Sequence, residues 1–208
     1  MTEEKQNVVK SLELFYDVET SGFISSKKDF DDPEQAWAVQ LAAILSTKDK
    51  IITELDVLIK PNGRKINSHA EAIHGISLTR AQEEGIEEVK AIGMFANLLV
   101  DEPLKVCHNA FFDSQFIYQM FQRNIESLDD KQRSRFYVDI PQFCTMKDKN
   151  IMHFVGAKNK NGKLKWPKLS ELYEKLFSCN FPDAHNALAD VKALRDCYYE
   201  LKKKGIIK

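Results

Sequence analysis

Three apolar strand segments in a meander, followed by helices and strands in alternation, predict an α/β fold on a mixed central sheet of about five strands flanked by helices. Ser11 to Asp17 reads as a strand entering the core and closed by Thr20-Ser21-Gly22. Trp37 to Leu45 and Ile51 to Ile59 are apolar runs joined by the polar Ser46-Thr47-Lys48-Asp49-Lys50, the pattern of an antiparallel pair. The 208 residues suit a single domain, 1–208 with its core at about 11–204, and a 43% hydrophobic content can fill one sizeable core.

The remaining elements follow in order. Ser25 to Gln35 mixes charge with a proline and reads as a loop, and Pro61-Asn62-Gly63 ends the first sheet segment. Short helices are expected at Ala70 to Gly75 and Ser77 to Glu84. A longer one runs from Glu88 to Leu99, where Val89, Ile92, Phe95 and Leu99 keep helical spacing. Leu104 to Cys107 is a short buried strand feeding a helix from Phe111 to about Asn124. Phe136 to Ile140 is expected as a further strand, stopped by Pro141. Leu169 to Phe177 is amphipathic, and the last helix runs from His185 to Lys204, with Gly205 after three lysines as its C-terminal signal.

Charge is nearly balanced, 30 basic against 31 acidic residues, which argues against tight non-specific coating of long duplexes but leaves a nucleic-acid enzyme open. No apolar run reaches the length of a membrane span, and Met1-Thr2-Glu3-Glu4-Lys5 lacks the order of a secretory signal, so a cytoplasmic location is expected. Cys107, Cys144, Cys179 and Cys197 show no C-x-x-C spacing and read as free thiols.

The chemistry lies in four carboxylates and a histidine: Asp17 and Glu19, Asp113, His185 and Asp190. Asp17 and Glu19 are two apart in a strand, so both leave the same face near its end. Asp113 shares the inward side of its helix with Phe116, Ile117 and Met120. In the last helix Ala187, Val191, Leu194, Tyr198 and Leu201 form the apolar stripe, and Asp190 sits on its flank. His185 lies about 140° from Asp190 on the helical wheel, so both cannot face one site from a regular helix. His185 must act from the first turn or the preceding loop, after Phe181-Pro182-Asp183. Clustered buried carboxylates call for a compensating cation, and a histidine beside them points to metal-assisted phosphodiester cleavage.

The order Asp-x-Glu, His-Asn-Ala-x-Phe-Asp (His108 to Asp113) and His-x4-Asp (His185 to Asp190) resembles the DEDDh exonucleases, the group that includes the proofreading subunit of bacterial replicative polymerases. Ile73-His74-Gly75-Ile76 and Lys168-Leu169-x-x-Leu172 match in the expected intervals, so the resemblance spans about Leu12 to Leu201. It implies a ribonuclease H-like fold and two divalent cations, Mg2+ or Mn2+, which all-oxygen ligands suit. Asp17 would bridge both ions, Glu19 and Asp190 would complete one site, and Asp113 would support the other. His185 would take the proton from the attacking water, and nucleoside 5′-monophosphates would leave the 3′ end. The implied partner is a single-stranded nucleic-acid 3′ end, DNA favoured and RNA the alternative. Thr20, Ser21 and Gly22 would cradle the terminal nucleotide, Ile73 and His74 would form a wedge, and Asn109 and Phe112 are further substrate-binding candidates.

Three departures stand out. The connection Ser25 to Gln35 is long, and Cys144-Thr145 replaces the Asp-Thr pair of many relatives. The chain also has no long tail after Asp190 to tether it to a polymerase, which favours freestanding action, and the five intact catalytic positions count against a non-catalytic adaptor. Finally, Ala157 to Lys168 carries Lys158, Lys160, Lys163, Lys165 and Lys168 around Trp166, with Asn161-Gly162 as a hairpin signal. It reads equally as a guide for single strands and as a solvated hairpin.

Overall fold

The computed structural model describes residues 11–182 and 184–208. The expectations that touch Met1 to Lys5 and Asp183 lie outside that range. In chain order the elements are β1 (Glu13–Thr20), β2 (Ala38–Ser46), β3 (Ile51–Leu58), α1 (Ser68–His74), α2 (Leu78–Glu84), α3 (Glu88–Asn97) and β4 (Leu104–Cys107). They continue with α4 (Ala110–Asn124), α5 (Asp130–Phe136), β5 (Gln142–Cys144), α6 (Lys149–Val155), α7 (Leu169–Phe177) and α8 (Ala187–Lys203).

The sheet has the order β3-β2-β1-β4-β5. Strands β1, β2 and β3 pair antiparallel, whereas β4 pairs parallel with both β1 and β5. The expected mixed sheet is therefore present, with β1 at its centre. Because side chains alternate, Leu14, Tyr16 and Val18 enter one core with Ile92, Phe95, Phe116 and Met120 of α3 and α4. Phe15 enters a second core on the opposite face with Leu172 of α7 and Val191, Leu194 and Tyr198 of α8. Asp17 and Glu19 share the parity of Phe15, so β1 directs them to the α8 side, next to where α8 begins.

Local signals set the helix ends. Asn67 and Ser77 cap α1 and α2 by accepting from His69 N and Arg80 N, and Gly75 closes α1 in the left-handed region at φ 70°. One expected strand is wrong. Phe136 ends α5, which starts at a capping box between Asp129 and Gln132, and Phe136 stacks on Phe121 with ring centroids 4.3 Å apart. The strand lies beyond Pro141 rather than before it. Pro141 offers a carbonyl that accepts from Lys105 N at 3.0 Å, so its missing N–H costs β5 nothing at its entry.

The loop from Ser25 to Gln35 is folded around the buried Gln35 amide, which accepts from Ser25 N at 2.9 Å and donates to the Ser25 and Lys28 carbonyls. Cys107 and Cys197 are buried, Cys144 is half-buried and Cys179 exposed, all as free thiols. Among the described residues no helix is long and apolar enough to cross a membrane.

Candidate active site

The three parallel strands β1, β4 and β5 end on the same side of the sheet, and the carboxylates gather there. Ligand atoms of Asp17, Glu19 and Asp190 lie within 4.8 Å of one another. Asp113, only 2% exposed, stands behind Asp17 on the first turn of α4, and its Oδ1 accepts from Val18 N at 3.3 Å. Four acids from β1, α4 and α8 thus converge, three around one point and the fourth beside Asp17.

Their electrostatics are those of a site built for a cation. Burial is the largest influence on each acid. It raises Asp17 and Asp113 well above the usual carboxylate range, and repulsion among the acids adds to the effect. Asp17 and Asp113 act directly on each other's ionisation and so titrate as a pair. Burial and then the charges of Asp190 and Asp113 push Glu19 up to about 8. Asp190 is pushed up to about 6 by burial, opposed by the charge and backbone N–H of His185. The Oδ1 atom of Asp190 is buried without a hydrogen-bond partner. An orphaned carboxylate oxygen in an all-oxygen donor set fits a hard divalent cation such as Mg2+ or Mn2+.

His185 is exposed and lies ahead of α8, in a turn with a positive φ of 72°. The helix starts only at Ala187, with Asn186 as its cap accepting from Ala189 N at 3.2 Å. The expected start at His185 is corrected by this cap, and the conflict on the helical wheel disappears because His185 belongs to the loop. Buried Gln40 of β2 also holds this end of α8: its Oε1 accepts from Ala187 N at 3.2 Å while its Nε2 donates to Asp56 at 2.7 Å.

A cavity of about 320 Å³ opens next to the acids, lined by Glu19, Thr20, Gly22, Phe23, Ile73, His74 and Phe112, with Asn67, His69 and Ala70 at its side. Five of the substrate-binding candidates, Thr20, Gly22, Ile73, His74 and Phe112, meet there. Gly22 adopts φ 152°, a backbone state that side chains rarely tolerate. His74 Nδ1 accepts from Ile76 N at 3.0 Å, which assigns the proton to Nε2, and a hydrogen bond to the Thr20 backbone partly offsets the burial that lowers the imidazole. Phe112 packs against Phe116 at 5.0 Å on one side and faces the cavity on the other.

Two candidates are placed elsewhere. The Ser21 hydroxyl accepts from Trp37 N at 3.0 Å and ties the residue after β1 to the residue before β2. Asn109 occupies the left-handed region at φ 76° as the residue before α4, and does not line this cavity.

Sequence reasoning missed two residues. Phe23, 84% exposed and edge-on to Phe112 at 6.1 Å, lines the cavity; its signal is an apolar residue directly after Gly22 in a polar turn. His108 is the other. Burial holds its ring neutral, down to about 4, so Nε2 donates to the Pro167 carbonyl at 3.0 Å and Nδ1 accepts from Thr145 Oγ1 at 2.9 Å.

A mixed sheet ordered in this way, with acids at the end of its central strand and on the first turns of two flanking helices, defines a ribonuclease H-like nuclease fold. The family model described as Exonuclease, of the RNase T type, matches residues 14–198, and the chain belongs to this DEDDh exonuclease family. Among solved structures, Escherichia coli exonuclease I in complex with a dT13 oligonucleotide superposes with a TM-score of 0.73 at 22% identity, over 92% of this chain and 41% of that one. Its complex with dA16 gives 0.70 at 22%, over 93% and 41%, and the zinc-bound form of its single-stranded DNA complex gives 0.70 at 23%, over 94% and 41%. The chain therefore spans about two fifths of the length of exonuclease I, and the likeness at these identities is one of fold. No curated protein sequence matches the chain.

Proposed function

We propose that this protein is a metal-dependent 3′→5′ exonuclease that removes nucleoside 5′-monophosphates from single-stranded nucleic acid, with DNA the favoured substrate. The observation that carries the reading is the convergence of Asp17, Glu19 and Asp190 within 4.8 Å beside the cavity that Glu19 itself lines. The exonuclease I complexes with oligothymidylate and oligoadenylate support a single-stranded substrate for this fold.

Asp17, Glu19 and Asp190 would hold divalent cations, with Asp113 supporting Asp17. Such ions, when bound, supply Lewis-acid stabilisation of the attacking and leaving oxygens of an in-line displacement. The chain's own residues do the rest. Phe23, Phe112 and Ile73 offer apolar surface to the terminal base and exclude water from one side of it. His74 lines the same cavity beside Ile73 and would bound the terminal nucleotide there. His185 is the proton acceptor: its ring is exposed on a turn, free to reach a water aligned by substrate.

The test is incubation of the protein with a 5′-labelled single strand and magnesium or manganese. Stepwise shortening that stops in Asp17→Ala and Asp190→Ala is expected. Shortening that persists in both variants would overturn the assignment of the acids, and immediate release of the 5′ label would overturn the polarity. Matched DNA and RNA strands, single and double, determine the preferred sugar.

A further inference from the structure

The lysine-rich arm gains a definite location in the structure. Ala157 to Lys165 is a hairpin: Lys165 N donates to the Ala157 carbonyl at 2.9 Å, Asn159 N to the Lys163 carbonyl at 2.8 Å, and Gly162 takes φ 75° at the turn. The hairpin leads to Trp166 and Pro167, and the Pro167 carbonyl is held by His108 at the end of β4. The same imidazole holds Thr145 at the end of β5. One half-buried ring therefore docks the arm on the side of the sheet where the acids lie.

What the arm brings there is an aromatic and cationic surface. Trp166 is 57% exposed, and Phe111, two residues ahead of Asp113 on α4, is 64% exposed. Lys147 Nζ lies between them, 5.4 Å from the centroid of each ring. Leaving large aromatic surface in water is unfavourable, and here two rings are held open around one ammonium group.

Charge points the same way. From Lys147 to Lys168 the chain carries seven lysines and a single acid, Asp148, in a protein whose net charge is −1. Among the described residues only Lys165 of these seven forms an ion pair, with Glu171 at 2.6 Å. A block of unpaired positive charge beside a cluster of carboxylates does not serve the cluster itself, but it matches a polyanion that passes the cluster.

We propose that Phe111, Lys147 and Trp166 form a second nucleotide subsite, which grips the single-stranded segment on the 5′ side of the nucleotide being removed. Bases stack on the two rings, and Lys147 with the arm lysines neutralises the adjoining phosphates. The subsite rests on the exonuclease reading for its direction, but its binding chemistry is separate. It accounts for the lysine-rich hairpin, for the exposed tryptophan at its base and for the half-buried His108 that anchors it.

The experiment is a binding titration of the full chain in chelator, comparing a long oligothymidylate with a dinucleotide. Affinity is read in every variant from the anisotropy of a labelled strand; because Trp37 is fully buried, quenching of accessible tryptophan fluorescence in the unsubstituted chain also reports Trp166. The long strand is expected to quench it strongly. Trp166→Ala and Lys147→Ala should each weaken long-strand binding by about tenfold, with a smaller loss for the dinucleotide, and Trp166→Phe should recover most of the affinity. Absence of strand binding, unchanged long-strand affinity in Trp166→Ala, or equal losses for both lengths would overturn the subsite. Trp166-dependent binding by a protein that cleaves nothing with magnesium or manganese would uphold the subsite and sink the exonuclease reading instead.

Discussion

Asp190 and His185 lie five positions apart but face different physical demands. Asp190 is fixed to the first turn of α8 with one oxygen buried and unpartnered, whereas His185 is exposed on the turn before that helix. In the proposed mechanism one holds a cation and the other moves a proton, and the two roles separate experimentally. His185→Ala should lower kcat by about 10² to 10⁴ while the rise in Tm on adding magnesium persists. Asp190→Asn should lose activity together with most of that rise. Loss of the magnesium-induced rise in His185→Ala would place the histidine among the ligands and remove it as the base.

The elements matter chiefly through their ends. Strand β1 delivers Asp17 and Glu19 because its last residues leave the sheet on the α8 side. Helix α8 delivers Asp190 only if its first turn is held. Two side chains hold it, Asn186 as the cap and Gln40 from β2, which accepts from the buried Ala187 N–H. Gln40→Leu should destabilise the protein by about 1–3 kcal/mol, the cost of leaving that buried donor unpaired, and Asn186→Ala by about 0.5–2 kcal/mol through loss of the cap. Urea unfolding measures both. An unchanged midpoint in Gln40→Leu would mean that the helix start is supported by packing alone.

Over the whole molecule the acid cluster makes stability depend on pH in an unusual direction. Glu19 rises from an ordinary 4.5 to about 8, and Asp190 from 3.8 to about 6. A raised pKa in the folded state means that the folded chain holds protons which the unfolded chain has released. The associated stability is complete below the ordinary carboxylate values and is lost as pH climbs through the folded ones. Without metal, Tm should therefore fall between about pH 4 and pH 8, and magnesium should restore more of it at pH 8 than at pH 5, because protons and cations compete for the same oxygens. A metal-free Tm that rises across this window would show that the cluster does not dominate the titration. The buried Glu88 works in the opposite sense. Despite its burial, Arg123 and Arg64 lower its pKa, so its contribution is lost only at acid pH, as the carboxylate is protonated.

Much of this architecture is legible in the order of residues. Alternation along β1 sends Asp17 and Glu19 one way and Leu14, Tyr16 and Val18 the other, and the spacing of Phe116, Ile117 and Met120 puts Asp113 on the inward side of α4. Ser77, Gly75 and Asn161-Gly162 mark their turns and caps by local chemistry alone, whereas α1 starts at Ser68 on an Asn67 cap, ahead of the Ala70 start read from the sequence. These signals are short-ranged, so they state which way a side chain leaves its own element and no more. Where Pro141 stands, local reading predicts a stop, while the sheet uses its carbonyl as an entry. Ser21 reads as part of a substrate cradle, and the structure adds that its hydroxyl accepts from Trp37 N, a partner that only the fold brings near. That Asp190 comes within 4.8 Å of Asp17 and Glu19, or that Lys147 lies between Phe111 and Trp166, depends on strand register and on how α8 and the arm dock across the sheet. The sequence by itself determined the direction of each acid within its element; only the packing of distant elements decided that those directions meet.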